Sequence, residues 1–161
     1  MEYIFRTDQI EILNQLIFDA SINLNNIEKL QLIDSSIGFE VERRAFESVS
    51  RKKILFWTLT FLSGKTSFLR FENVSDLVVS KLLDKKDIHN DFINEITIDN
   101  CGKIIIESVY DFRITMIASE KTRIYLTDIK ESKFGRGKVG GKVGFTKDEW
   151  LIYLNEKNYL Q

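Results

Sequence analysis

The sequence has no proline, one cysteine and one histidine among its 161 residues. Without proline, it has no proline-rich linkers and no polyproline ligand segments. The single cysteine, Cys101, excludes an intramolecular disulfide and a zinc site built from several thiolates. The single histidine, His89, excludes metal sites that need two histidines. It also disfavours a catalytic centre based on histidine, so we predict no catalytic residues, no metal and no cofactor. A hydrolytic enzyme that uses two surface carboxylates is the least favoured alternative.

An excess of one charge sign and a long apolar run are also lacking. The 23 Lys and Arg residues nearly balance the 24 Asp and Glu residues, for a formal net charge of −1. This balance excludes a protein whose whole surface clamps nucleic acid. The longest uncharged apolar run, residues 54–62, is about half the length of a membrane helix. The acidic first residues do not resemble a signal peptide, so we expect a cytoplasmic location, and the many Ile, Asn and Lys residues suggest a bacterial source.

The distribution of apolar residues predicts a mainly β-structured domain. Helical periodicity is found in residues 7–17, where Thr7 is the expected N-cap, and in residues 150–160, which follow a capping box at 146–149. Seven to nine strands, spaced by about ten residues, lie between the two helices. We therefore predict one α+β domain over residues 1–161. Its mainly antiparallel strands would form a twisted sheet, a sandwich or a partial barrel, with an N-terminal and a C-terminal helix.

The strand and turn positions are predicted from alternation and from turn residues. Strands are expected at 27–33, 37–46, 54–62, 67–71, 95–98, 103–107, 112–118 and 123–129. Residues 75–83 fit either a strand or a helix. Turns are expected at Ser63-Gly64-Lys65, at Asp99-Asn100-Cys101-Gly102 and at residues 119–122.

Basic and glycine residues are concentrated in residues 130–147. This segment has six basic residues against one acidic residue, and it holds five of the eight glycines. We predict a flexible Gly/Lys-rich loop that precedes the C-terminal helix. It is either a solvated mobile loop or a site for an acidic protein or nucleic acid, because glycine-rich backbone and basic side chains attract anions. Its candidate binding residues are Lys133, Arg136, Lys138 and Lys142.

Acidic residues in and after one predicted strand are the second group of candidates. Glu40, Glu42 and Glu47 lie within eight residues of one another. Residues 1–129 carry 16 basic and 20 acidic side chains, so they form a mildly acidic body. Such carboxylates could cover a basic cleft of a partner protein, because complementary charge raises the association rate and the specificity.

Two short motifs resemble a known family. Ile17-Phe18-Asp19-Ala20-Ser21-Ile22 and the later Phe71-Glu72-Asn73-Val74-Ser75-Asp76-Leu77 resemble steps in small bacterial domains that begin Phe-His-Asp-Ala and continue with a Phe-x-Gly-Val-like step. Several of these domains are immunity proteins of polymorphic toxin systems, in the immunity protein 50-like group. The resemblance spans roughly residues 17 to 129. Phe18 replaces the histidine and Asn73 the glycine, so only Asp19 and Ala20 match the first motif.

The resemblance implies a β-rich fold and a role in binding and blocking a toxin, without catalysis. Our first hypothesis is therefore a cytoplasmic, non-enzymatic protein-binding domain of the immunity or inhibitor type. The alternative is a nucleic-acid or anion-binding module that uses the loop 130–147. A homodimer through an exposed strand edge is a further alternative, because the prolines that often protect such edges are missing.

Overall fold

The computed structural model describes residues 1–54, 57–81, 90–110 and 112–138, and the side chains of residues 1–45, 47, 63–81, 90–110 and 112–132. The elements in chain order are β1 (Glu2–Phe5), a 3₁₀ turn (Thr7–Gln9), α1 (Ile10–Ile17), β2 (Ser21–Asn23), α2 (Leu24–Ile27), β3 (Ser36–Ile54), β4 (Trp57–Lys81), β5 (Asn90–Ile98), β6 (Lys103–Ser108) and β7 (Phe112–Lys138). The predicted N-terminal helix is confirmed, although its first turn is 3₁₀ and Arg6 rather than Thr7 holds the N-cap position. The predicted C-terminal helix lies outside the described residues.

The strands form a closed barrel. Their order is β7-β4-β3-β2-β5-β6, and β6 pairs with β7 again, so six antiparallel strands close on themselves. The seventh strand, β1, pairs with the later part of β7, beyond the part that pairs with β6. The predicted antiparallel, β-rich fold is confirmed, and the barrel closes completely.

Period-two alternation along the strands builds the core. In β3, Ile37, Phe39 and Val41 are buried, whereas the residues between them face outward. In β7, Ile124 and Leu126 are buried in the same way. Helix α1 adds apolar side chains to this cluster, and its Asn14 exchanges hydrogen bonds with the backbone of Ile96 in β5. Burying each large apolar side chain stabilises the fold by about 1.5–3 kcal/mol.

Bulges bend the long β4–β7 ribbon. The register of β4 against β7 shifts around Asn73 and again around Asp76, and both residues have positive φ, 57° and 53°. The backbone carbonyl of Asn73 accepts hydrogen bonds from the hydroxyls of Ser119 and Thr122 at 3.1 and 2.7 Å. A bulge increases local twist and bends its strand, so the two bulges help β4 to curve around the barrel.

Two predicted turns are wrong. Residues 63–65 lie inside β4, because Gly64 pairs with Arg44 of β3 on one side and with Ser132 of β7 on the other. Residues 119–122 lie inside β7, although their hydroxyls anchor the bulge at Asn73. At Gly64 the turn-type residues are tolerated because both neighbouring strands pair with the backbone. Residues 119–122 instead lie at the register shift between Ala118 and Arg123, where the amides of Ser119 and Lys121 donate to the hydroxyls of Thr122 and Ser119.

One predicted strand and part of the predicted loop are also wrong. The predicted strand at 27–33 is not formed, because α2 ends at Ile27 and Asn23 caps that helix by accepting from the amide of Asn25. Residues 130–138 of the expected loop instead extend β7 and pair with β4. Residues 139–147 lie outside the described residues. The hairpin turn predicted at residues 99–102 is confirmed.

Candidate functional site

A buried arginine lies at an inward position near one end of the barrel. Arg43 follows the buried alternation of β3 and is fully buried. Its guanidinium donates to Ser67 at 3.0 Å, to both carboxylate oxygens of Glu47 at 3.1 and 2.8 Å, and to Asp128 at 2.7 Å. Ser67 donates in turn to Asp128 at 2.8 Å, and the Tyr3 ring lies 5.8 Å from the guanidinium carbon. We call these five residues the Arg43 network.

The carboxylates hold this arginine in its charged form. Burial alone would lower the pKa of Arg43, but hydrogen bonds and charges from Glu47 and Asp128 outweigh it and raise the pKa above the ordinary value. Burial would likewise raise the pKa of Asp128, yet hydrogen bonds from Arg43 and Ser67 bring it below the ordinary value. The Arg43 network is thus internally satisfied, and its chemistry is that of a structural ion pair.

The free energy of unfolding should depend on the ionisation of Asp128. The folded-state pKa of this group lies below the ordinary value of 3.8, so its contribution is present above that value and is lost as the pH falls through the folded-state pKa. We expect urea denaturation at about pH 6 and about pH 3 to show a smaller loss of stability in Asp128→Asn than in the unaltered protein. An equal loss in both proteins would contradict the assignment.

The outward side chains of β3, β4, β7 and β1 form rows across the barrel. In one row, Glu40 lies opposite Phe68, which lies opposite Thr127. The Thr127 hydroxyl donates to Glu2 of β1 at 3.1 Å. These side chains are exposed or half-buried, whereas their neighbours along each strand point into the core.

The next row contains an arginine stacked on a tyrosine. Gly38 lies opposite Arg70, which lies opposite Tyr125. The Arg70 guanidinium carbon is 4.6 Å from the centre of the Tyr125 ring, and Arg70 also pairs with Glu72 at 3.1 Å. A hydrogen bond with Glu72 raises the pKa of Tyr125. Ile4 of β1 completes the row and is 56% exposed.

The Phe68 ring lies over the backbone of Gly38. A Cβ atom on Gly38 would be 2.5 Å from the end of this ring, so the glycine leaves the space that the ring occupies. Phe68, Arg70 and Tyr125 are thus half-buried residues in adjacent rows of the same outward surface, with Glu40 of β3 opposite Phe68. We call this group with Glu40 and Glu42 the outer face.

A polar cleft of about 320 Å³ adjoins the outer face. Its walls combine carboxylate, amide and hydroxyl side chains with one lysine. The lining residues are Ser21, Ile22, Asn23, Asn26, Glu40, Val41, Glu42, Thr66, Asn90 and Lys130. The cleft thus shares both of its carboxylates with the outer face.

The structure brings together two of the three predicted acidic candidates. Glu40 and Glu42 are exposed and lie side by side on the outward side of β3. Glu47 is separated from them, because its carboxylate is held by the inward-pointing Arg43. Glu47 is also exposed, so all three carboxylates stay candidates for partner binding, with Glu47 tied to Arg43.

The structure does not describe the side chains of the four basic candidates. Lys133, Arg136 and Lys138 lie in β7, where only their backbone is described. Lys142 lies outside the described residues altogether. Of the basic residues in the segment 130–147, Lys130 is described, and it lines the polar cleft.

Sequence reasoning missed Phe68, Arg70 and Tyr125. The alternation at residues 68, 70 and 72 was visible, but it places side chains outward without saying what lies beside them. The register of β4 against β7 supplies that information. Arg43 was missed because arginine is rarely fully buried, although the alternation of Phe39 and Val41 places residue 43 on the inward side of the strand.

The described part of the chain holds no cluster of three His, Cys, Asp or Glu side chains placed to bind a metal. None of the helices in that part is long and apolar enough to cross a membrane. Comparison of the chain with protein-family models, with curated proteins and with solved structures found no match. Its function is therefore inferred from the geometry of the outer face and from the sequence.

Proposed function

We propose that this chain is a non-enzymatic protein-binding domain of the immunity or inhibitor type, which covers a partner protein with its outer face. The observation that carries the proposal is the group formed by Phe68, Arg70 and Tyr125. Aromatic and arginine side chains are enriched in protein interfaces and supply most of the binding energy there. The group is already packed, so little side-chain entropy would be lost on binding.

The charge beside this group favours a basic partner. Glu40 and Glu42 are exposed on β3, next to Phe68. Carboxylates at the border of an aromatic centre steer a basic surface into place and reject an acidic one. A toxin that acts on nucleic acid presents such a surface, because it must bind phosphates. The bacterial and cytoplasmic origin expected from the sequence belongs to the same proposal.

Each of the two motifs that resemble immunity proteins contains a residue with a positive φ. Asp19 has a φ of 55° and forms the third position of a turn in which the amide of Ala20 donates to the carbonyl of Ile17 at 2.8 Å. This conformation is that of a type II turn. Asn73, which stands where the family pattern has glycine, has a φ of 57°. Asparagine and glycine are the residues that adopt this conformation most readily.

The test is capture of a partner from a lysate of the source organism after nuclease treatment, followed by binding kinetics. The variant Glu40→Gln/Glu42→Gln removes the two carboxylates of the outer face. The matched control, Glu95→Gln/Glu120→Gln, removes two exposed carboxylates elsewhere on the barrel. We expect one stoichiometric protein to be captured by the unaltered protein and by the control.

We expect the association rate of the Glu40→Gln/Glu42→Gln variant to be lower by roughly ten-fold at low salt, with most of the difference lost at about 0.3 M salt. Equal association rates for both double variants would refute the proposal. If proteins from the lysate are captured only when nuclease is omitted, the result would instead favour the nucleic-acid module predicted for residues 130–147.

A further inference from the structure

The polar cleft beside the outer face is rich in hydrogen-bond acceptors. Glu40 and Glu42 alternate along β3, so their positions are separated by roughly 7 Å on the same side of the strand. The Ser132 hydroxyl donates to one oxygen of Glu42 at 2.8 Å, which orients that carboxylate and leaves its other oxygen available. Three asparagines of the cleft wall, Asn23, Asn26 and Asn90, add amide groups, although the Asn23 oxygen already accepts from the amide of Asn25.

Thr66 in the same wall has an unused hydroxyl. The residue is 4% exposed, and within the described part of the chain its buried Oγ1 has no hydrogen-bond partner. A buried hydroxyl without a partner destabilises a fold, and valine has nearly the same shape without that cost. The hydroxyl would gain a hydrogen-bond partner only if a ligand reached it from the cleft that Thr66 lines.

We propose that this cleft receives an arginine side chain of the partner protein, an inference that rests on the proposed function. A guanidinium group carries five N–H donors and no acceptor, so it matches two carboxylates and the oxygens of the amide and hydroxyl groups. Lysine fits less well, because its compact ammonium group makes fewer directed hydrogen bonds. Lys130 also lines the cleft and offsets one carboxylate, so the formal charges of Glu40, Glu42 and Lys130 leave the lining with one net negative charge.

The experiment uses the whole chain with Nα-acetyl-arginine N-methylamide as the probe, followed by NMR of the side-chain amides of Asn23, Asn26 and Asn90. We expect saturable shifts at these amides, with a dissociation constant in the millimolar range. Nα-acetyl-lysine N-methylamide, whose side-chain ammonium group is free, should bind at least about three-fold more weakly.

The decisive variant is Thr66→Val, with Thr115→Val as its control, a half-buried hydroxyl of β7 outside the cleft lining. We expect Thr66→Val to melt at a higher temperature than the unaltered protein and to bind the arginine probe roughly five-fold more weakly. A merely structural hydroxyl would not separate these two properties. The control should leave probe binding unchanged.

Three outcomes would each overturn the arginine site. They are no shift of the cleft amides on addition of the probe, equal probe affinity of Thr66→Val and the unaltered protein, and a lower melting temperature of Thr66→Val. These outcomes are distinguishable from failure of the proposed function. If the captured partner still depends on Glu40 and Glu42 while the probe does not bind, the outer face stands and the arginine site fails. If no partner depends on these carboxylates, the proposed function fails as well.

Discussion

Replacement of Arg43 by leucine is expected to lower the free energy of unfolding by about 3–5 kcal/mol. Arg43 is fully buried and hydrogen-bonds to Glu47, Asp128 and Ser67. Its removal leaves two carboxylates without their counter-charge at the end of the barrel, where Asp128 is only 9% exposed. Because the whole stability of a domain is about 5–15 kcal/mol, such a variant would be partly unfolded under mild conditions.

Urea denaturation followed by circular dichroism measures this loss. The matched control is Arg6→Leu, which removes an arginine from an exposed ion pair with Asp8 and should cost less than about 1 kcal/mol. A second variant, Arg43→Leu/Glu47→Gln/Asp128→Asn, removes the orphaned charges and should recover part of the stability. A loss below about 1 kcal/mol for Arg43→Leu alone would show that water replaces the arginine and would contradict the buried network.

Replacement of Tyr125 by alanine is expected to weaken partner binding by about 30-fold or more. The Tyr125 ring supports Arg70 at 4.6 Å and lies between β4 and β1 in the outer face. Its loss removes a rigid aromatic contact and leaves Arg70 without a defined position. Since affinity differences within one interface are mostly differences in dissociation rate, the partner should leave the variant faster.

Two variants make this prediction specific. Tyr125→Phe keeps the ring and the stacked Arg70 but loses the hydrogen bond with Glu72, so it should retain most of the affinity. Tyr110→Ala removes an exposed tyrosine beyond the end of β6 and should bind the partner normally. An unchanged dissociation rate for Tyr125→Ala, with a melting temperature like that of the unaltered protein, would remove Tyr125 from the interface.

Local signals in the sequence predicted the elements whose geometry depends on near neighbours. The hairpin at residues 99–102 forms as predicted, because the Asp99 carboxylate accepts from the amides of Cys101 and Lys103 and Gly102 has a φ of 79°. Helix α1 forms where the apolar spacing placed it. In both cases the stabilising contacts are a few residues apart, so they can be recognised without the fold.

The same signals failed where distant strands satisfy the backbone. Residues 63–65 have turn composition, yet they continue β4 because β3 and β7 lie on its two sides. The apolar and charged residues at 27–33 alternate as in a strand, but Asn23 begins a short helix just before them. Local composition cannot report which strand edge will be available, because that depends on residues far away in the chain.

The candidate site was only half visible for the same reason. Glu40 and Glu42 share a face because alternate residues of any strand do. Glu47 is exposed as expected for a surface acid, but its ion pair with the buried Arg43, next to a register irregularity of β3 between Ala45 and Ser50, could not be read from the sequence. The neighbours Phe68 and Tyr125 join Glu40 only through the pairing of three separate strands.

Residue composition and alternation are enough to predict a mainly antiparallel β-domain, the inward and outward faces of most of its strands, and the absence of an intramolecular disulfide. These properties follow from composition and from the two-residue period of a strand. Tertiary structure alone decided the closure of the barrel, the ion pairs of Arg43 and the joining of Phe68, Arg70 and Tyr125 into one outer face. Each of these depends on register between distant strands, and a shift of one residue would turn every side chain of a strand to the opposite face.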